Sequence, residues 1–152
     1  MKKRTLYLVI VLLALFQATL LNYFRIFNVK PDLLLICAVF VGLVFELKHA
    51  LLFSLVLGFL KDAFTAQVFA AHIFYFPFLA AVTFFLAKKI PIETTLVRTV
   101  LIFLAVILID LLKKFFQFSA GNYFTLGVYS KVIILESLYT ALVSPLIFKV
   151  LR

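Results

Sequence analysis

Long stretches without a charged residue constrain this chain more than any other feature. Residues 5–24 and 63–87 contain no Asp, Glu, Lys or Arg, and as a helix the first run alone would cover the ~30 Å hydrocarbon core of a bilayer. Of the 152 residues, 66% are hydrophobic and 14% are charged, whereas soluble proteins average roughly 45–50% and about 25%. A chain of this length has too little interior to bury so many apolar side chains. The sequence therefore predicts an all-α integral membrane protein and excludes a water-soluble globule.

Six membrane spans are predicted, in a single integral membrane domain made of all 152 residues. The first span follows a basic start and lacks a cleavage site of small residues, so we expect a retained anchor rather than a signal peptide. The stretch 32–60 is interrupted by Glu46, Lys48 and His49. It is either a hairpin of two helices or one long helix, which would reduce the total to five spans. The predicted spans are 5–24, 32–47, 50–67, 68–87, 96–112 and 132–150.

The distribution of basic residues favours six spans with both termini in the cytoplasm of a bacterial cell. Basic residues are enriched in the cytoplasmic loops of membrane proteins. A hairpin at 32–60 puts nine Lys and Arg on the cytoplasmic side and six outside, whereas one long helix gives seven on each side and leaves Lys48 in the membrane. The nine are Lys2, Lys3, Arg4, Lys48, Lys88, Lys89, Arg98, Lys149 and Arg152, and the six are Arg25, Lys30, Lys61, Lys113, Lys114 and Lys131. This bias also explains the formal charge of +9 without nucleic acid, for which the sequence has no binding motif.

A stripe of small residues in the third span leads to an acidic residue. Ala50, Ser54, Gly58 and Asp62 recur every four residues and so share one helix face, which would permit close approach of another helix. A charge in the bilayer costs about 2.5–3.5 kcal/mol unless protein or water surrounds it. We expect Asp62 either to pair with Lys61 or lipid headgroups at the membrane surface, or to be hydrogen-bonded inside a helix bundle.

A second stripe of the same kind lies in the last span. Glu136, Thr140 and Ser144 also recur every four residues, and Pro145 is expected to kink the end of this helix. Both stripes are therefore candidate faces for packing or for binding a partner helix.

The remaining polar residues indicate packing rather than catalysis. Asp110 lies one turn before Lys114, which predicts an ion pair between them at the outer membrane surface. The lone His72 is typical of a hydrogen-bonded packing residue, and the single Cys37 cannot form an internal disulfide. The sequence has no Gly-x-Ser nucleophile, His-Glu-x-x-His, Gly-x-Gly-Asp or Gly-rich phosphate motif. We expect no enzymatic activity, no cofactor and no metal site.

Several short motifs follow one another in a definite order along the chain. They are Gln17, then Lys30-Pro31-Asp32-Leu33, then Gly58 with Lys61-Asp62, and finally Tyr139-Thr140 with Pro145-Leu146. In order and spacing they resemble the bacterial rod-shape-determining MreD family over nearly the whole chain. The segment 65–72 departs from that family, because it lacks the Gly-rich turn that usually follows the acidic residue of the third span.

The resemblance implies a scaffold of the cell-elongation machinery, which acts by binding. Members of the family work with MreC, a protein with one membrane helix and a periplasmic coiled coil. Together they connect MreB filaments to the glycosyltransferase RodA and its class B penicillin-binding transpeptidase. Segments 23–31 and 113–131 would meet the periplasmic part of MreC, while membrane lipids and further copies of the chain are other expected neighbours. The residues expected at partner-binding or packing surfaces are Ser54, Gly58, Lys61, Asp62, Lys30, Pro31, Asp32, Glu136, Tyr139, Thr140 and Pro145.

An alternative function follows from a more distant likeness. The family is similar to the six-helix S-components, the substrate-binding subunits of energy-coupling-factor vitamin transporters. In such a protein Gln17, Asp62, His72, Asp110 and Glu136 would line an outward-facing solute pocket. Convergence of these residues on one cavity would favour a solute site, whereas their spread over separate helix faces would favour a scaffold.

Overall fold

The chain folds into helices, as the sequence predicts. The computed structural model describes residues 3–19, 23, 29–64, 71–119 and 126–151, and these contain six α-helices and no β-strand. The helices are α1 (Lys3–Thr19), α2 (Leu33–Val44), α3 (Leu47–Phe64), α4 (His72–Lys89), α5 (Thr95–Ser119) and α6 (Leu126–Leu151).

Helix α2 is the centre of the bundle. It contacts each of the other five helices, and its residues 33–42 are all buried. Its sequence, LLLICAVFVGLV, is apolar on every side, and a helix of this kind is stable only when other elements surround it. At 12 residues it is about 18 Å long. It is therefore shorter than the predicted span 32–47, and the other helices enclose it.

The stretch 32–60 forms two helices rather than one. Helix α2 ends because Phe45 has an extended backbone, and its ring packs 5.3 Å from that of Phe53 in α3. Glu46 accepts a hydrogen bond of 2.8 Å from the amide of Ala50 and so starts α3. Glu46 and Lys48 are exposed at this turn, which keeps both charges out of the apolar interior.

The other helices extend beyond the predicted spans where polar residues are compatible with a helix. Helix α5 continues seven residues past position 112 through Lys113 and Lys114, and α6 begins six residues before position 132. Pro145 does not end α6, which continues to Leu151. The parts of the first, third and fourth predicted spans at 20–22, 24 and 65–70 lie outside the described residues.

Two glycines allow helix α4 to approach its neighbours closely. A Cβ on Gly42 of α2 would lie 2.6 Å from the carbonyl oxygen of Ala80. A Cβ on Gly58 of α3 would lie 2.7 Å from the carbonyl carbon of His72 and 2.8 Å from the Cα of Ile73. These neighbours are backbone atoms, which cannot rotate away as a side chain can. Glycine at both positions therefore sets the distance of α4 from α2 and α3.

Helices α5 and α6 form an apolar outer wall. By length and composition, Thr95–Ser119 and Gly127–Leu151 can each cross a membrane, but only 28% and 33% of their most apolar stretches are buried. Leu104 and Leu142 are 58% and 70% exposed. A core helix of a soluble protein would be largely covered, so this wall suits contact with lipid or with other membrane helices.

The helices alternate in direction, which gives the bundle two different ends. At the end that we call the polar end, Lys61 near the end of α3 pairs with Asp32 at the start of α2. At the opposite end, which we call the cavity end, α2, α4 and α6 finish and α5 begins. There Phe45, Arg98 and Leu151 line one cavity.

Replacing either close-contact glycine tests this packing. We expect Gly42→Ala and Gly58→Ala each to lower the free energy of unfolding by about 1–3 kcal/mol, because the added methyl meets backbone atoms. Thermal unfolding in detergent measures the effect. Gly127→Ala is the matched control, since no atom lies within 4 Å of its added Cβ and alanine favours a helix. Equal losses in all three variants would contradict the close contacts.

Candidate functional site

Asp32 joins four helices at the polar end. Its Oδ1 accepts hydrogen bonds from Gln17 Nε2 of α1, at 3.1 Å, and from the amide of Leu35 in α2, at 3.2 Å. Its Oδ2 forms an ion pair with Lys61 of α3, and its own amide donates to Thr140 Oγ1 of α6, at 3.1 Å. Asp32 is only 3% exposed. A single buried carboxyl residue thus holds α1, α3 and α6 against the start of α2.

The local sequence places Asp32 at the N-cap of α2. Pro31 before it has no amide hydrogen to satisfy, and an aspartate at this position accepts a bond from the third helical residue, here Leu35. Its negative charge also suits the positive end of the helix. Gln17 completes the cap, because its Oε1 accepts a bond of 2.9 Å from the amide of Leu34. Polar side chains from α1, α2 and α6 therefore satisfy three amides at the start of α2.

Asp62 caps the next helix. Its Oδ2 accepts a bond of 3.0 Å from the amide of Ile73, and its Oδ1 lies 3.3 Å from the amide nitrogen and 2.6 Å from the ring Nδ1 of His72. The N-cap residue of α4, Ala71, makes no capping bond with its side chain, so the preceding helix supplies the cap. Of the two environments predicted for Asp62, the structure has the one inside the bundle, because Lys61 pairs with Asp32 instead.

A further, partly buried ion pair lies on α5. Asp110 Oδ1 is 3.1 Å from Lys113 Nζ, so the predicted pairing with Lys114 is wrong. Positions three and four residues apart on a helix are both neighbours, and only the packing of α5 against α6 decides between them. Lys114 Nζ instead lies 5.0 Å from the ring centroid of Tyr129 in α6. The Tyr129 hydroxyl donates a bond of 3.1 Å to the carbonyl oxygen of Asp110.

Glu136 of α6 lies near both of these pairs. It interacts electrostatically with the pair Asp110–Lys113 and with the pair Asp32–Lys61. We define the polar cluster as Gln17, Asp32, Lys61, Asp62, His72, Asp110, Lys113, Glu136 and Thr140. Its opposite charges lie together, which reduces the cost of keeping them away from water.

The chemical capacity of the cluster is limited. In the part of the chain that the structure describes, no three His, Cys, Asp or Glu side chains lie close enough together to hold a metal ion. Two buried side-chain atoms of the cluster, His72 Nε2 and Asp110 Oδ2, have no hydrogen-bond partner among the described residues. The arrangement suits a cluster that holds helices together. These two atoms could each form a hydrogen bond with a water molecule or another polar group.

The two small-residue stripes are packing faces within the chain. Ser54 is fully buried, and Gly58 contacts the backbone at the start of α4. Thr140 is also fully buried, and Ser144 is 1% exposed. These faces are largely covered by the chain itself, so a partner helix would have to bind elsewhere on the bundle.

The other predicted site residues lie in different surroundings. Pro31 is buried beside Asp32, whereas Lys30 and Tyr139 are partly exposed. Pro145 lies toward the cavity end and does not belong to the polar cluster. Sequence reasoning missed the pairing of Asp32 with Lys61. The available signal was that the predicted topology puts both residues at the same side of the membrane.

The comparisons with known proteins give no further guidance. No family model matches the chain, and the searches of curated proteins and of solved structures found no match.

The pairing of Asp32 with Lys61 can be tested by a double-mutant cycle. We expect Asp32→Ala to lower the free energy of unfolding by about 3–5 kcal/mol, because it removes the carboxylate that neutralises a buried ammonium group. Thermal unfolding in detergent of Asp32→Ala, Lys61→Met and the double variant measures the coupling, and we expect the double variant to lose less than the two single losses combined.

Glu46→Ala is the control for loss of a carboxylate, since the Glu46 side chain is 89% exposed. It should change the free energy of unfolding by no more than about 0.5 kcal/mol. Strict additivity of the two cluster substitutions would argue against a direct pair.

Proposed function

We propose that this protein is a non-enzymatic membrane scaffold of the MreD type. It binds MreC and helps to couple MreB filaments to peptidoglycan synthesis by RodA and its class B transpeptidase, and so to cell shape. The proposal rests on one observation: residues from separate sequence motifs contact one another at Asp32. Gln17, Asp32, Lys61 and Thr140 come from four of the segments that resemble this family, and direct contacts join the other three to Asp32.

The pairing of charges favours a scaffold over a catalyst or carrier. Two carboxylates of the cluster, those of Asp32 and Asp110, each pair with a lysine of the same chain, and that of Asp62 contacts the ring of His72. Groups that satisfy one another hold helices in one arrangement and leave little capacity for turnover. A bundle fixed in this way can present its outer surfaces to partner helices in a constant geometry.

A solute-binding subunit of a vitamin transporter is the second candidate. The observation in its favour is that Gln17, Asp62, His72, Asp110 and Glu136 all lie toward the polar end, where two buried atoms have no hydrogen-bond partner among the described residues. Against it, among the cavities lined by described residues, the two at the cavity end, of about 500 and 320 Å³, include none of these five residues. Pairing within the chain also occupies most of their polar atoms.

The scaffold proposal includes six spans, with the polar end outside and the cavity end in the cytoplasm of a bacterial cell. Its support is the clustering of basic residues at the cavity end, where Lys48, Lys88, Lys89, Arg98 and Lys149 lie at helix termini. The shortness of α2 is compatible with a membrane location, because the surrounding helices separate it from lipid.

Labelling of single cysteines tests this topology. Ser130 at the start of α6 and Glu93 between α4 and α5 are both exposed, and the natural Cys37 is buried. In spheroplasts we expect a membrane-impermeant maleimide to label Ser130→Cys and not Glu93→Cys, because only the first faces outward. The unmodified protein is the control and should stay unlabelled. The reverse pattern would indicate the opposite orientation, with the polar end of the bundle in the cytoplasm.

Partner recovery tests the function. We expect tagged protein, purified from membranes in mild detergent, to bring down a single-span coiled-coil protein of the MreC type in near-stoichiometric amount. Lys131→Glu should reduce that recovery by about twofold to fivefold, because this exposed residue lies in the outer segment expected to meet the periplasmic part of MreC. Quantitative mass spectrometry of the co-purified proteins measures both.

Lys149→Glu is the matched control, since it reverses an exposed charge on the same helix at the cavity end. It should leave recovery of the partner unchanged. Equal losses from both substitutions would argue against contact at the outer segment. Recovery of ATP-binding-cassette subunits in place of the coiled-coil protein would overturn the scaffold and support the transporter alternative.

A further inference from the structure

We propose that a groove between α5 and α6 at the cavity end binds the phosphate of an anionic phospholipid. This α5–α6 groove has a volume of about 320 Å³. It is lined by Thr95, Arg98, Thr99, Ser144, Pro145, Phe148 and Lys149. The inference concerns a lipid site and does not depend on which protein partner the bundle binds.

The lining of the groove suits an anion. It contains two cationic side chains, Arg98 and Lys149, and the hydroxyl group of Thr95, and no carboxylate among the described residues lines it. Glu93 lines the adjacent cavity of about 500 Å³, which Arg98 also borders.

Arg98 is held in place for such a ligand. Its Nε donates a bond of 3.2 Å to the carbonyl oxygen of Ile92, and its guanidinium carbon lies 5.7 Å from the ring centroid of Phe148. Within the described part of the chain, Nε is the only nitrogen of this guanidinium with a hydrogen-bond partner. The two terminal nitrogens can therefore donate to one phosphate group in the two-point geometry that arginine favours.

The surroundings of the groove identify the ligand as a lipid. Exposed Leu142 and Leu146 continue along α6 from the groove toward the middle of the helix, where acyl chains would lie. Under the proposed topology the groove is at the cytoplasmic leaflet, where basic pockets between helices recognise anionic headgroups. Its volume is at the lower end for small-molecule sites, which suits a headgroup rather than a whole lipid.

Native mass spectrometry of the purified, delipidated protein in detergent tests this site. The probes are dioleoyl phosphatidylglycerol and dioleoyl phosphatidylcholine, which share acyl chains, and glycerol 3-phosphate as the free anion. We expect phosphatidylglycerol to bind more tightly than the other two. Arg98→Gln should weaken its binding by about tenfold or more, because a charge-assisted contact is lost.

Two matched controls accompany the variants. Lys89→Gln removes an exposed charge at the same end of the bundle, outside the groove, and should change affinity by less than about twofold. Thr99→Leu fills the groove while both cations remain, and it should also abolish the preference for phosphatidylglycerol. Val100→Leu, at the neighbouring exposed position, should preserve it. If Arg98→Gln is not recovered as a folded protein, the comparison of Thr99→Leu with Val100→Leu decides the question.

Three results would overturn the proposal. Equal loss in Arg98→Gln and Lys89→Gln would mean that general surface charge attracts the lipid. Equal affinity for phosphatidylcholine would mean that the acyl chains alone bind. Equal affinity for glycerol 3-phosphate would assign the groove to a soluble anion. None of these outcomes affects recovery of a coiled-coil partner, so this proposal and the scaffold function fail independently.

Discussion

The ion pair between Asp32 and Lys61 is the interaction on which the rest of the bundle depends. Separating either charge from water would be costly in isolation, and the pair is tolerated because Gln17 and Thr140 satisfy further hydrogen-bonding groups around it. The same residue caps α2, so the start of this apolar helix is held at a definite depth in the bundle. Since α2 contacts all the other helices, fixing its position fixes the surface on which they pack.

This arrangement divides the molecule by chemistry. The polar cluster draws the ends of several helices together at one end, and glycines 42 and 58 let α4 pack tightly between its neighbours. The apolar wall of α5 and α6 is left largely uncovered, and two cavities lined by described residues lie at the opposite end. The uncovered apolar wall and these two cavities are therefore separate from the polar contacts that hold the helix ends together. That separation suits a scaffold, which has to bind without rearranging its own core.

Much of the fold was predictable from the sequence, but the partners of individual residues and the helix ends were not. Charges at Glu46 and Lys48 correctly predicted the break between α2 and α3, because an unpaired charge is excluded from an apolar interior. The small-residue stripes indicated faces for packing or for a partner helix, and in the structure Ser54, Gly58, Thr140 and Ser144 are buried within the chain. The wrong partner for Asp110 arose because helical spacing alone permits two lysines. Helix ends were misplaced where charged residues remain compatible with helical structure.

The sequence by itself determined the helical class, the break within the stretch 32–60 and the candidate polar residues. These follow from local rules: apolar runs of membrane length, charges that interrupt them, and an aspartate that suits a helix start. Only the tertiary structure decided which charges pair, which faces are buried and where the cavities lie. Asp32 meets Thr140 across 108 positions of sequence, and no local periodicity encodes such a contact. It arises because buried polar groups must find partners wherever the packing of the helices brings them.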